Sequence, residues 1–187
     1  GAQSNDGFSA KYVGNCFKTA SVLSTEGVCS PLENEIEWIF ENGKKLIGKR
    51  AAFVFPKLGW NTFKIKTTIY NPPPIGSSGV IAGVINKAIQ TVCRVETIDA
   101  KIWINPSPDY DLPKNLLICS SIGYKKTIRI VPNSKHNDSP YTFNWETSLN
   151  VPFNSTNTYD FSEPSVNYIS TTNKFGCVNR DTLTVID

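Results

Sequence analysis

The sequence predicts an all-β chain of two tandem β-sandwiches, and three observations carry that expectation. Short segments rich in β-branched and aromatic residues alternate apolar with polar positions, as in Thr62-Phe63-Lys64-Ile65-Lys66 and Val166-Asn167-Tyr168-Ile169; this is the period-two pattern of half-buried strands. An approximate internal repeat puts a cysteine, a polar stretch and then alternating apolar residues at the end of each half: Cys93 before Ile98, Ile102 and Ile104, and Cys177 before Leu183 and Val185. Between the copies, Pro106, Pro108 and Pro113 interrupt the chain and block continuous sheet pairing. They mark a boundary between a first unit, residues 1–105, and a second, residues 106–187.

In the first unit, Asn15-Cys16-Phe17 takes an early strand position. Trp38 and Phe40 share one face of a strand and point inward, and Glu41-Asn42-Gly43 follows as a turn in which Asn42 and Gly43 supply the positive φ angles of a tight hairpin. Phe53-Val54-Phe55, a turn at Leu58-Gly59 and a strand over Thr62 to Tyr70 come next. Turns are expected at the Pro72-Pro73-Pro74 run and at Gly76 to Gly79, whereas Gly83 to Gln90 suits either a short helix or a strand. In the second unit, Ile118-Cys119-Ser120 matches the early cysteine, Thr127 to Val131 and Val166 to Ser170 read as strands, and Phe143-Asn144-Trp145 places a tryptophan in a core strand.

Hydrophobic residues at 40% and charged residues at 19% suit ordinary folded cores. No apolar run approaches the roughly 18 residues of a membrane-spanning helix. The formal charge of +3 is spread over short clusters such as Lys44-Lys45 and Lys125-Lys126, unlike the concentrated basic face of a nucleic-acid binder. The chain has no Met, so it is expected to be a processed or excised piece of a longer protein. None of its five cysteines forms a C-x-x-C or a zinc-spaced cluster. The repeat instead suggests two disulfides, Cys16 with Cys93 and Cys119 with Cys177, each joining an early strand to the last strand of its own unit and leaving Cys29 over. Disulfides imply an oxidising compartment.

Catalytic chemistry has little to stand on. The single histidine, His136, sits in a polar loop with no orienting motif around it. Asp109 and Asp111 flank Tyr110 and are the weak candidates for a metal site, without the glycine and terminal Glu of a calcium loop. Asn154-Ser155-Thr156 fits an N-glycosylation sequon. Of four tryptophans, Trp38 and Trp145 fall in core contexts, Trp103 lies between Ile102 and Ile104 near the boundary, and Trp60 beside a glycine turn is the candidate ligand contact.

The order Trp38-Ile39-Phe40-Glu41-Asn42-Gly43, Phe53-Val54-Phe55, Gly59-Trp60, Phe63-Lys64-Ile65 resembles the polycystic-kidney-disease (PKD) domain pattern, in which W-x-F-G-D-G precedes an aromatic, a glycine turn and an alternating strand. Here Glu41-Asn42 replaces the family's Gly-Asp, and two residues are inserted after Gly59. The second unit resembles immunoglobulin-like repeats of Bacteroidetes outer-surface and gliding-associated proteins, through Pro106-Ser107-Pro108-Asp109-Tyr110, Cys119, Phe143-Asn144-Trp145 and the Phe175 to Val185 ending. Asp181-Thr182-Leu183 is similar to the O-glycosylation sequence of that group. The resemblance implies immunoglobulin-like, PKD-like sandwiches in an adhesin, spacer or gliding-surface protein exported through the outer membrane to the cell surface.

The expectation is therefore a non-catalytic structural or adhesive tandem module, not an enzyme and without a cofactor. Its partners would be neighbouring domains of the same chain and a surface glycan or protein, with no nucleic acid and no membrane span. A carbohydrate-binding accessory module of a secreted hydrolase is the competing reading.

Overall fold

The structure is a computed structural model that describes residues 9–26, 36–70, 92–133 and 135–187. Cys29, the proline and glycine turns after Tyr70 and the ambiguous Gly83 to Gln90 segment lie outside the described residues. The chain is all-β: two tandem immunoglobulin-like sandwiches. It divides into one compact unit of residues 1–15 and 19–104 and another of residues 16–18 and 105–187.

The first unit contains β1 (Ser9–Val13), β2 (Ser21–Glu26), β3 (Ile36–Phe40), β4 (Lys45–Ile47), β5 (Arg50–Phe53), β6 (Gly59–Tyr70) and β7 (Val92–Ile104). They form two antiparallel sheets, β1-β2-β5 and β4-β3-β6-β7. Alternation decides what is buried: β3 places Ile36, Trp38 and Phe40 inside, and β6 does the same with Phe63 and Ile65. The sheets meet through aromatic rings, with Phe40 of one stacked on Phe53 of the other at 3.7 Å, and Phe55 edge-on to Phe53 at 5.0 Å.

The β3–β4 hairpin differs from the expected geometry. Gly43 has a positive φ of 82°, and Asn42 is not in that region. Phe40 N–H donates to Lys44 O and Gly43 N–H to Phe40 O, while Asn42 Oδ1 accepts from Lys44 N–H. Three residues therefore make the loop, with glycine alone in the left-handed position, as in a type I turn closed by a bulge. A third loop residue removes the need for a second positive φ.

The second unit contains β8 (Asn115–Leu117), a short 3-10 turn at Ser120–Ile122, β9 (Lys126–Arg129), β10 (Thr142–Thr147), β11 (Pro152–Asn154), β12 (Thr158–Phe161), β13 (Ser165–Thr172) and β14 (Val178–Ile186). Its sheets are β11-β10-β13-β14-β8 and β12-β9. Counted within each unit, strands four, three, six and seven are neighbours in both, and strand five pairs with strand two. The units differ in the first strand: β1 pairs antiparallel with β2, whereas β8 pairs parallel with the last strand, β14. The core holds Trp145, Ile169, Leu183 and Val185 from the larger sheet, Phe161 from the smaller, and Ile130.

Each third strand carries a fully buried tryptophan, Trp38 and Trp145, the position expected of a sandwich-core indole. Trp38 Nε1 donates to Gly48 O at 2.8 Å, and Trp145 Nε1 to Thr156 O at 2.7 Å. Both acceptors lie between the fourth and fifth strands, where the chain crosses from one sheet to the other.

The proline-bearing stretch forms no strand, as its composition implies, but it is fastened to the second unit. Pro106 O and Pro108 O accept from the Nδ2 groups of Asn173 and Asn179, at 2.8 and 3.0 Å. Tyr110 enters the core, and its burial pushes the phenol pKa up.

The cysteine pairing requires correction. The structure joins Cys16 to Cys177, with Cα atoms 5.5 Å apart, and leaves Cys119 free and exposed; Cys16 is therefore not bonded to Cys93, nor Cys119 to Cys177. Register explains the second failure. β8 pairs with the far end of β14, Leu117 opposite Ile186, and Ser120 donates to the Asp187 carboxylate. Cys119 thus lies about ten residues along β14 from Cys177, roughly 30 Å at strand rise, far beyond disulfide reach. The first failure reflects residues 16–18 joining the second unit. Cys16 bridges to Asn105, Phe17 N–H donates to Asn105 O at 2.9 Å, and Ser107 Oγ donates to Phe17 O at 2.8 Å.

A turn with buried ends, Asn173 and Cys177, presents the other half of the bond. Asn173 Oδ1 accepts from the backbone N–H groups of Phe175 and Cys177, and its Nδ2 reaches Pro106 O and the buried carboxylate of Asp138. Tyr141 donates its hydroxyl to the same carboxylate. Burial first, and that charged acceptor second, push the Tyr141 phenol to about 12.

Two outcomes follow for measurement. Trp145→Ala should lower unfolding free energy in denaturant titration by about 3–5 kcal/mol; Trp145→Phe should lose less, the residue of the effect being the abandoned Thr156 carbonyl. Non-reducing peptide mapping should recover Cys16 linked to Cys177, with Cys119 alkylated before any reductant is added.

Candidate functional site

On β6 and β7 of the first unit, residues in phase with the core are buried and those out of phase form an exposed face. Trp60 and Trp103 are directly opposite in register and both belong to that outward set, 55% and 45% exposed. Their rings meet edge to face, with centroids 5.3 Å apart and an interplanar angle of 82°. Lys101, two residues before Trp103 on the same face, holds its Nζ 4.4 Å from the Trp60 ring centre. An ammonium there is attracted to the negative face of the indole.

The turn into β6 sets this geometry. Gly59 has a φ of 79°, a conformation other residues rarely adopt, and a methyl group there would meet the Trp103 ring at only ordinary contact distance, 3.7 Å. Backbone conformation rather than space therefore selects glycine. Behind it, buried Asn61 donates from Nδ2 to Lys57 O and Gly59 O, which ties the turn to the strand that carries Trp60.

Along the sheet the face becomes charged. Glu41 takes Lys57 Nζ at 2.7 Å and the Thr62 hydroxyl at 2.5 Å. These two hydrogen bonds hold its carboxyl down at about 2. Glu37 pairs with Lys45 at 2.8 Å and Lys64 with Asp99 at 3.4 Å. A depression of about 130 Å³ lies among Ile39, Glu41, Thr62, Lys64 and Asp99. The arrangement can offer aromatic surface and paired charge to a partner.

Of the residues singled out in the sequence, Trp60 is on the surface, and Trp103 proves to be its neighbour, 43 positions away. The outward phase of both strands was readable, but the register that sets them opposite was not. Asp109 and Asp111 are both exposed on either side of buried Tyr110, and among the described residues no group of three His, Cys, Asp or Glu side chains could hold a metal ion. His136 is exposed in its loop. No helix of the described residues is long and apolar enough to cross a membrane.

No protein-family model matches the chain, and no curated protein matches it. Among solved structures, it is similar to the IG1+IG2 fragment of DIP-gamma at 9% identity and a TM-score of 0.35, covering 94% of this chain and 96% of that one. It is similar also to three N-terminal domains of the bacteriophage RB49 highly immunogenic outer capsid protein, at 6% identity and TM-score 0.36 over 96% and 57% of the two chains. Immunoglobulin domains 1–5 of Sidekick-1 give 12%, 0.33, 94% and 38% for the same quantities. Likeness at this level carries no argument about what the chain binds.

The lowered Glu41 pKa has a sign that can be measured. A carboxyl held below its usual value of 4.5 favours the folded state above that value, and this contribution fades as pH falls toward about 2. Carbon-detected NMR titration should place the Glu41 midpoint near 2, and Lys57→Ala should raise it; a midpoint unchanged by that substitution would show that the hydrogen bond is not formed in solution.

Proposed function

We propose that the chain is a non-catalytic recognition and spacing segment of a secreted or cell-surface protein, and that the β4-β3-β6-β7 face of its first unit contacts a protein partner. The observation that carries this reading is the exposed Trp60–Trp103 pair. Two adjacent indoles leave a large apolar area in water, and aromatic anchors of this kind dominate protein interfaces. Lys101 and the Glu41–Lys57 pair supply a polar rim. The Cys16–Cys177 bond supports an oxidising, extracellular setting.

A glycan is the second reading, favoured by the exposure of Trp60. Against it, a sugar ring stacks on a flat aromatic face. One face of Trp60 is taken by Lys101, and the perpendicular Trp103 makes a notch rather than a platform. The finer assignment, PKD-like and immunoglobulin-like repeats of a Bacteroidetes adhesin or gliding-surface protein exported through the outer membrane, rests on the motif resemblance alone. As a spacer, the pair of sandwiches would present binding surfaces away from the cell, joined to neighbouring domains of the same chain.

Beads coated with the chain should adhere to intact cells of the producing organism, and adhesion should fall at least tenfold with Trp60→Ala/Trp103→Ala. Protease treatment of the cells should abolish it and glycosidase treatment should not. Glycan-array binding that disappears with Trp60→Ala would replace the protein partner by a carbohydrate, and adhesion indifferent to both tryptophans would dismiss the face altogether.

A further inference from the structure

We propose that the Cys16–Cys177 bond makes the chain a link of nearly fixed length under end-to-end tension: a pull between neighbouring domains runs through short stretches at either end and bypasses both sandwich cores. The inference rests on the spacing role proposed above and concerns the load that such a spacer meets. The two cysteines are 161 positions apart. The covalent loop they close therefore takes in β2 to β13, and with them the buried Trp38 and Trp145. Among the described strands, only β1 and β14 lie outside it.

Tension applied at the two ends is carried by the shortest covalent path. Here that path runs from Gly1 to Cys16, across the sulfur bridge, and from Cys177 to Asp187. Residues 17–176 hang from it as a side loop and feel no net pull. Without the bridge, the same pull would cross every strand, and the chain would lengthen at the rate at which noncovalent packing gives way.

The strand that stays in the path is already straight. β14 starts at Val178, directly after Cys177, and ends at Ile186, so the pull enters at one end of the strand and leaves at the other. A strand rises about 3.3–3.4 Å per residue, against at most about 3.6 Å in a fully drawn chain. β14 thus has little length to give while it remains paired with β13 and β8. The first unit is bypassed for a second reason. Residues 16–18 and Asn105 all belong to the second unit, Cys16 bridges to Asn105, and Phe17 N–H donates to Asn105 O at 2.9 Å. The chain leaves for the first sandwich and returns from it at adjoining points, so tension along the second unit does not pass through residues 19–104. β1, the outermost strand of its sheet, can peel from β2, and its release is the lengthening the path allows. Drawn straight, residues 1–16 and 177–187 span about 95 Å, whereas opening the loop adds about 550 Å, at 3.3–3.6 Å per residue.

The test is optical-tweezer stretching of the whole chain, with handles on its first and last residues, in oxidising buffer. Wild-type protein should lengthen by no more than about 95 Å, and Cys16→Ser by about 550 Å beyond that at the same force. Near-UV circular dichroism establishes that the variant is folded, and Cys177→Ala removes the same bond from its other side. Wild-type lengthening past about 95 Å would overturn the proposal, whether or not a variant folds. A folded variant that stays as short as wild type would also overturn it, because packing rather than the bond would then hold the length. No partner enters the measurement, so a failure of cell adhesion or of the tryptophan face leaves this outcome unchanged.

Discussion

A tryptophan in the middle of a sandwich carries an N–H that no apolar neighbour can satisfy, and leaving it unpaired costs about 1–3 kcal/mol. In both units the donor finds a carbonyl of the crossover between the fourth and fifth strands. The requirement is therefore more than local. It fixes where the chain leaves one sheet for the other, and hence how far the two sheets stand apart around the indole. The aromatic stack of Phe40 on Phe53 and the packing of Trp145 near Phe161 at 5.8 Å then fill the space so defined.

The first strand lies outside this constraint, and the two units place it differently. In the first it pairs with β2; in the second it runs parallel to β14. That one change carries the early cysteine of the second unit to the wrong end of the last strand for any bond with Cys177. The partner comes instead from residues 16–18, which are fewer than twenty residues into the sequence yet belong to the second compact unit. Asn173, which accepts from Cys177 N–H and donates to Pro106 O, and Ser107, which donates to Phe17 O, hold both approaches to the bond.

With the cores committed to packing, the exposed faces are left to residues out of phase with them. The same alternation that buries Ile102 and Ile104 turns Trp103 outward beside Trp60. In the second unit, the open edge between β11 and β12 leaves an acidic, aromatic-walled cleft. These surfaces differ in composition, one carrying two tryptophans with a lysine over one of them and the other two carboxylates beside aromatic rings.

Local pattern alone carried the all-β tandem-sandwich fold and the inward direction of Trp38, Phe40 and Trp145, because side-chain direction in a strand follows a period of two; it did not place Cys16 and Cys119, which the repeat puts in early strands and which lie outside them. The identity of Gly43 as a turn residue is legible for the same local reason, whereas a three-residue loop leaves Asn42 without the positive φ that a two-residue hairpin would demand. Tertiary structure decided what depends on register between distant strands. The meeting of Trp60 with Trp103, the parallel placement of β8 and the partner of Cys177 all turn on which residues come to lie opposite one another. A shift of one residue would exchange inside for outside, and no segment records within itself the register of its partner.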